Sequence, residues 1–579
     1  MAFSLYYRKT NNEELFQTLE KSEFEIRDLQ NYVPIYDNFF SLNSTNYNSI
    51  NLNQKYNLYS IKQILDRNSL LAEVSDQSNN ILEKSTFSKF SPLLDPLKVL
   101  TGKYDTSNND LTTLPKYNDT SDNCFPKLLD KNNSAYVDSF FTYLSSQLLQ
   151  HYGCMNSIDY YGSYLGIQSK FNYNIVDDID YLNENDYFHK NSEFLYNIEN
   201  SVHREIFNVD SRSNKKKLSI IKNIESIELD TLDTLDNIVD TTLTVDNVIQ
   251  FNNLLDLSNK CIYNTSFSHV SKSSTKSSSS SFSSKSSNTS VESDEENNNG
   301  SESDINSDCD DDSSEEDEES ESSEEDIYCS IFDFPVQMIC MEKCTNTLDY
   351  LMENELLNTN EWTSCLFQVI ITLAMYQKTF SFTHNDLHTN NIMYVETDKQ
   401  YIHYCFDGIY YKVPTYGKIY KIIDFGRSIY KFKGMTMCSD SFHPKGDAGS
   451  QYNCEPYFNE NKPRLEPNFS FDLCRLACCL FDNFVDDMDE LGDLTKKNKL
   501  IGLIYSWLID DKDRNILYKT NGEERYPEFK LYKMIARTIH GAVPSKQLGH
   551  ECFGKYVVTK KKINKNHKII NIDKIPVFC

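Results

Sequence analysis

Two short segments hold the side chains best suited to bind or move charge. The first is Thr383-His384-Asn385-Asp386-Leu387-His388-Thr389-Asn390-Asn391-Ile392-Met393, in which a carboxylate and a carboxamide stand five residues apart. The second, Lys421-Ile422-Ile423-Asp424-Phe425-Gly426-Arg427, supplies another carboxylate ahead of a Phe-Gly pair. Carboxylate and amide oxygens are hard donors and suit a hard divalent cation. Either segment alone is a weak signal in a chain rich in Asp and Asn, but both together and in this order form a specific combination. The 16 cysteines carry no such pattern. Cys340, Cys344, Cys474, Cys478 and Cys479 lack paired Cys-x-x-Cys spacing and read as buried thiols rather than a metal site. Without framework spacing, and with no apolar signal core in Met1–Arg8, the chain is expected in a reducing compartment and not secreted.

Elements that could position these segments follow from periodicity. Leu58–Ile61, Leu70–Val74 and Thr86–Phe90 read as strands between polar turns, 158–175 and Pro335–Met341 as further strands. Residues 134–150 have helical spacing with Asn132, Asn133 or Ser134 as N-cap, and Trp362–Lys378 reads as a long helix with Leu366, Val369, Ile370 and Leu373 on one face. Trp362 and Trp507 are expected in the core. Strands first and helices later predict an α+β protein in two lobes. The predicted division is an N-terminal extension (1–55), a first N-lobe part (56–175), an insertion (176–326), the last N-lobe strand and hinge (327–346), a C-lobe (347–560) and a tail (561–579).

The 579 residues carry 57 Lys and Arg against 86 Asp and Glu, a net charge of −29. From Glu292 to Asp326 there are 19 acidic residues and no basic one, which leaves −10 for the other 544. With the serine tract before it, 265–326 is too poor in large apolar residues to offset ordering entropy and is expected to be disordered. Its plain reading is a solvated spacer. Ser293, Ser313, Ser314, Ser322 and Ser323 precede acidic residues and are candidate phosphorylation sites. The overall acidity argues against a nucleic-acid partner, although a local basic patch on the body is compatible with it. Lys215-Lys216-Lys217 reads as a solvated turn, and no run is long and apolar enough for a membrane span.

The two charged segments resemble the catalytic loop (H-x-D-x-x-x-x-N) and the D-F-G of eukaryotic-type protein kinases. Their wording, with Lys412–Lys418, is most similar to serine/threonine kinases of amoeba-infecting giant DNA viruses. The resemblance implies a bilobal kinase fold, a β-rich N-lobe and a mainly helical C-lobe, with a long, partly disordered N-lobe insertion. It implies ATP and Mg²⁺ as cofactors, a protein substrate, autophosphorylation at the serines within 292–326, and the host cytoplasm or the virion as location. Asp386 would be the base, His384 and Asn391 further catalytic-loop residues, and Asn391 and Asp424 the metal ligands. Lys89 would contact the α- and β-phosphates, with Asp138 in place of the usual helix Glu. Met341, Glu342 and Cys344 would line the adenine site at the hinge, with Met341 as gatekeeper. Asp472 would brace the catalytic-loop backbone, and Glu466-Pro467 would end the activation segment.

Departures from the family sharpen these expectations. Residues 1–101 contain no glycine, so the Gly-rich phosphate loop is missing and the turn Asp66-Arg67-Asn68-Ser69 stands in its place. Asn385 replaces the arginine that reads activation-loop phosphorylation, which predicts activity without a phosphate in 427–465. His388 stands where many protein kinases have Lys. Tyr401–Tyr420 reads as an aromatic hairpin turning at Asp407-Gly408. Two alternatives remain: a small-molecule phosphotransferase of the aminoglycoside- or choline-kinase kind, favoured by His388, and a pseudokinase scaffold, favoured by the missing loop.

Overall fold

The computed structural model describes residues 3–118, 123–198, 200, 207, 327–485, 491–527 and 529–579. The serine-rich and acidic tract and the Lys215 cluster lie outside the described residues. The first half of the chain builds one antiparallel sheet from β1 (Ile26–Gln30), β2 (Tyr56–Ile64), β3 (Ser69–Asp76), β4 (Ile81–Pro92), β5 (Tyr160–Asn174), β6 (Tyr196–Ile198) and β7 (Tyr328–Glu342). Its order is β1-β5-β7-β4-β3-β2, with β6 beside the start of β7. Strand β7 is central: β5 pairs along one edge, and β4 along the other from Val336 to Glu342. That position explains its nearly unbroken apolar run, since a strand covered on both faces has no solvent side to keep polar. The sheet curls, because the guanidinium of Arg67 in the β2–β3 turn lies 4.8 Å from the ring of Tyr328 at the far end of β7.

Two further segments join the sheet. Residues 1–55, read as an extension, contribute β1 to the sheet edge. The insertion begins inside the sheet, since β6 pairs with β7 before the chain leaves the described residues.

Helix α1 (Ser134–Tyr152) is buried on nearly every side and crosses beneath the sheet. Asn133 caps it by accepting the Ala135 N–H, a contact that contributes about 1 kcal/mol, and Gly153 ends it at φ 72°. Helix α2 (Thr359–Phe380) starts with a reciprocal capping box between Asn358 and Glu361 and is also almost wholly buried. The chain beyond it alternates short strands and helices: β8 (Ile392–Glu396), the hairpin β9 (Tyr401–Phe406) and β10 (Ile409–Pro414), β11 (Lys418–Ile422), then α3 (Phe471–Leu480), α4 (Phe529–Thr538) and β12 (Ile569–Asn571). Asp407 and Gly408 turn the hairpin at φ 49° and 73°, as the Asp-Gly pair predicts. β12 in the tail pairs parallel to β9, so 561–579 packs on the body rather than trailing from it. The fold is therefore a mixed α+β one, with more sheet in its second half than the sequence predicts.

Phe141 on α1 ties these parts together. Its ring stacks on Phe382, just before the first charged segment, at 4.3 Å and meets Phe425, inside the second, edge-on at 4.7 Å. Trp362 and Trp507 are buried as expected.

Candidate active site

Strand alternation sends Ser88 into the core and Lys89 to the opposite face. There the Lys89 ammonium lies 2.7 Å from Asp138 Oδ2 and 2.7 Å from Asp424 Oδ1. Asp138, on the first turns of α1, uses its other oxygen to accept the Phe425 N–H at 2.9 Å. One carboxylate thus fixes both the lysine and the backbone next to Asp424. Asp424 adopts φ 62°, a left-handed conformation that a non-glycine residue holds only under tertiary constraint. Burial pulls the Lys89 pKa down, but the two carboxylates more than reverse it and hold the ammonium above its ordinary value. Burial works equally against the Asp424 charge, and the Lys89 ammonium overcomes it, so that Asp424 stays well below the usual carboxylate range. For Asp138 burial prevails over Lys89 and the shift is upward.

The first charged segment is clamped from behind. Asp472, fully buried on α3, accepts the His384 N–H at 2.9 Å and the Asn385 N–H at 2.9 Å. This is the bracing contact expected of it. Asn385 stands at φ 64°, and its amide ties Arg427 O and Thr383 Oγ1 to the hydroxyl of Tyr452. His384 is fully buried, its Nε2 2.9 Å from Ile423 O. It thereby links the two charged segments. Asn391 points its amide nitrogen at Asp386 O (2.9 Å) and His388 Nε2 (3.0 Å), which leaves the amide oxygen on the other side. Asp386 is half-buried and accepts the Tyr532 hydroxyl at 3.1 Å through Oδ1. Burial disfavours its charge, yet Arg427, His388 and Arg475 together keep its pKa below the ordinary value. Burial also pushes the His388 imidazole down to about 4.

A cavity of about 1100 Å³ joins the two parts. Lys89, Asp138, Met341, Glu342, Cys344, Asn391 and Asp424 all line it, whereas Asp386 and His384 do not. Glu342 is not free to act alone, since its carboxylate binds the Lys421 ammonium and accepts the Asp159 N–H at 2.8 Å. The glycine-free turn borders the same cavity. Asp66 Oδ1 accepts the N–H groups of Asn68 (2.9 Å) and Ser69 (2.7 Å), occupying amides that a glycine loop would offer to an anion. Glu466 is exposed and bonded to Arg464, two residues away.

The oxygens of Asn391 and Asp424 border one cavity and are of the kind a magnesium ion prefers. Among the described residues no group of three or more His, Cys, Asp or Glu side chains is arranged to hold a metal. A cation here would thus need further oxygens from a ligand. Among the described residues no helix is long and apolar enough to cross a membrane.

Arg427, Arg475 and Tyr532 escaped sequence reasoning. Arg427 pairs with Asp447 at 2.9 Å, and Arg475 donates to the Tyr532 hydroxyl at 2.8 Å. The spacing of Asp472 and Arg475, three apart on one helical face, is the signal that could have drawn attention to the second.

No family model matches the chain. Over 106 residues it is 28% identical to the uncharacterized protein ZK177.2 of Caenorhabditis elegans, a match covering 17% of this chain and 36% of that relative. The matched stretch spans about a third of the relative's length.

Proposed function

We propose that the protein is an ATP-dependent serine/threonine protein kinase with a bilobal kinase fold. The β1–β7 sheet and α1 form one lobe, and the chain from α2 onward forms the other. The observation that carries this reading is the bridge from Lys89 to Asp138 and Asp424 in a cavity that also contains Asn391. Phosphoryl transfer asks the protein for positioning and charge rather than covalent chemistry. Lys89 supplies the cation toward phosphate oxygens, and Met341, Glu342 and Cys344 border the place for the base. Asp386 orients the acceptor hydroxyl and takes its proton. A divalent cation held by Asn391 and Asp424 would offset charge on the phosphates.

The Asp66 carboxylate in the phosphate turn favours a second reading, a scaffold that keeps the site but does not turn over. Thermal shift with ATP, with and without Mg²⁺, separates the two. The kinase reading expects metal-dependent stabilisation, together with phosphate transfer to casein that Asp386→Ala removes. Binding without transfer would support the scaffold, and transfer to small amino-alcohols alone would replace the protein substrate with a small molecule.

A further inference from the structure

Tyr532 sits 146 residues beyond Asp386 in the chain, yet its hydroxyl touches that carboxylate. It belongs to α4, is 6% exposed, and its hydroxyl has two partners. It accepts the Arg475 Nε–H at 2.8 Å and donates to Asp386 Oδ1 at 3.1 Å. The phenol ring is also pinned. The Arg475 guanidinium lies 5.4 Å from its centroid and that of Arg427 5.9 Å. Both arginines are themselves held, Arg475 by Cys479 Sγ one turn along α3 and Arg427 by Asp447. Neither the ring nor the hydroxyl can move without breaking these contacts.

The route back through α3 gives this chain of bonds its meaning. Asp472 and Arg475 are three residues apart and share a helix face. Asp472 fixes the backbone of His384 and Asn385. Arg475, through Tyr532, reaches the side chain of the next residue, Asp386. One helical turn therefore secures the loop's backbone and the carboxylate it presents. A base anchored through one oxygen keeps a single rotamer and offers the other oxygen in a constant direction, and geometry of this kind must hold within about 0.5 Å to be productive.

We propose that Tyr532 is a positioning residue for Asp386, its hydroxyl relaying the hold of Arg475 onto Oδ1 so that Oδ2 faces the acceptor hydroxyl. The inference rests on the kinase reading and deepens it. A tyrosine buried only for packing would make the same contact without consequence for turnover. A tyrosine occupying the acceptor's place would inhibit, and its removal would raise the rate.

The test uses the full chain with γ-labelled ATP and casein, and calorimetry for ATP affinity. Tyr532→Phe keeps the ring and deletes the hydroxyl. It should lower kcat roughly ten- to a hundredfold, the scale of loss from small misplacement of a reacting group, while the Kd for ATP changes less than about twofold. In an Asp386→Asn background Tyr532→Phe should cost nothing further. Arg475→Lys, which loses Nε, reads the same chain from its other end and should lower kcat in the same direction. Unchanged or raised kcat in Tyr532→Phe, or a loss that persists in the Asp386→Asn background, overturns the inference. A parallel fall in ATP affinity does so too. If wild type transfers phosphate and Asp386→Ala does not, those outcomes remove the role of Tyr532 alone. If wild type transfers none, the kinase reading falls and this inference falls with it.

Discussion

Asp138 and Asp472 are both buried aspartates on helices, and each holds one part of the site by a different bond. Asp138 shares its charge with the Lys89 ammonium and accepts one backbone N–H. Asp472 is satisfied by the backbone N–H groups of two consecutive residues. An ion pair with two competing carboxylates around one lysine can exchange partners when a phosphate or a cation arrives. Amide donors locked into a loop cannot. The cavity side can exchange its contacts, whereas the loop side is fixed in place.

On the kinase reading the largest effect should come from Asp386, whose carboxylate the loop side presents. Asp386→Ala should reduce phosphate transfer by about a hundred- to ten-thousandfold, the usual worth of a positioned general base, with the melting temperature unchanged. A parallel collapse of stability would show that Asp386 belongs to the scaffold. Next in size, Asp472→Ala should cost roughly 2–5 kcal/mol of unfolding free energy, because two buried N–H groups lose their acceptor. Urea titration reads it, and a cost below about 1 kcal/mol would mean that the loop is held elsewhere.

Lys89→Met sharpens the contrast through pH. The wild-type Asp424 carboxylate lies below its unfolded value, so its stabilisation is present above about pH 4 and is lost as pH falls through the folded value. Without Lys89 the largest opposition to burial at Asp138 and Asp424 is gone, so the variant should gain stability relative to wild type between neutral pH and about pH 5. Thermal melts across that range that stay parallel to wild type would show the bridge to be unimportant. The smallest effect concerns His388. Its folded pKa of about 4 lies below the unfolded value of 6.5, so the folded state resists a proton that the unfolded chain accepts. Stability should therefore fall as pH drops from 6.5 toward 4, and His388→Gln should flatten that slope. A slope unchanged in the variant would assign it to other groups.

Much of this was legible in the chain because it depends on short-range pattern. A cap of α1 among Asn132, Asn133 and Ser134, the Asp-Gly hairpin and the buried run of β7 follow from local propensity and periodicity, and the structure has all three, with Asn133 as the cap. Lys89 and Asp138 were paired by the family resemblance rather than by local pattern, and they meet at 2.7 Å. Other features lacked any local signature. Residues 1–55 carry no clear period, yet β1 finds the edge of a sheet made mostly of later strands. His384 reads as a catalytic-loop residue by type, and only its burial shows that it links two backbones. Tyr532 is one of 38 tyrosines, with nothing in its neighbours to single it out.

What the amino-acid sequence determined by itself is the chemistry on offer: hard oxygens at 386, 391 and 424, a lysine on a strand, and no glycine to cradle an anion. Side-chain type and local spacing suffice for that. Tertiary structure decided which of those groups share a cavity, and which buried carboxylate takes a lysine and which takes amides. It also decided that Asp386 is held by Tyr532. These depend on contacts between residues 49 to 335 positions apart, where the position of a partner is set by the packing of whole elements and leaves no trace in the pattern around either residue.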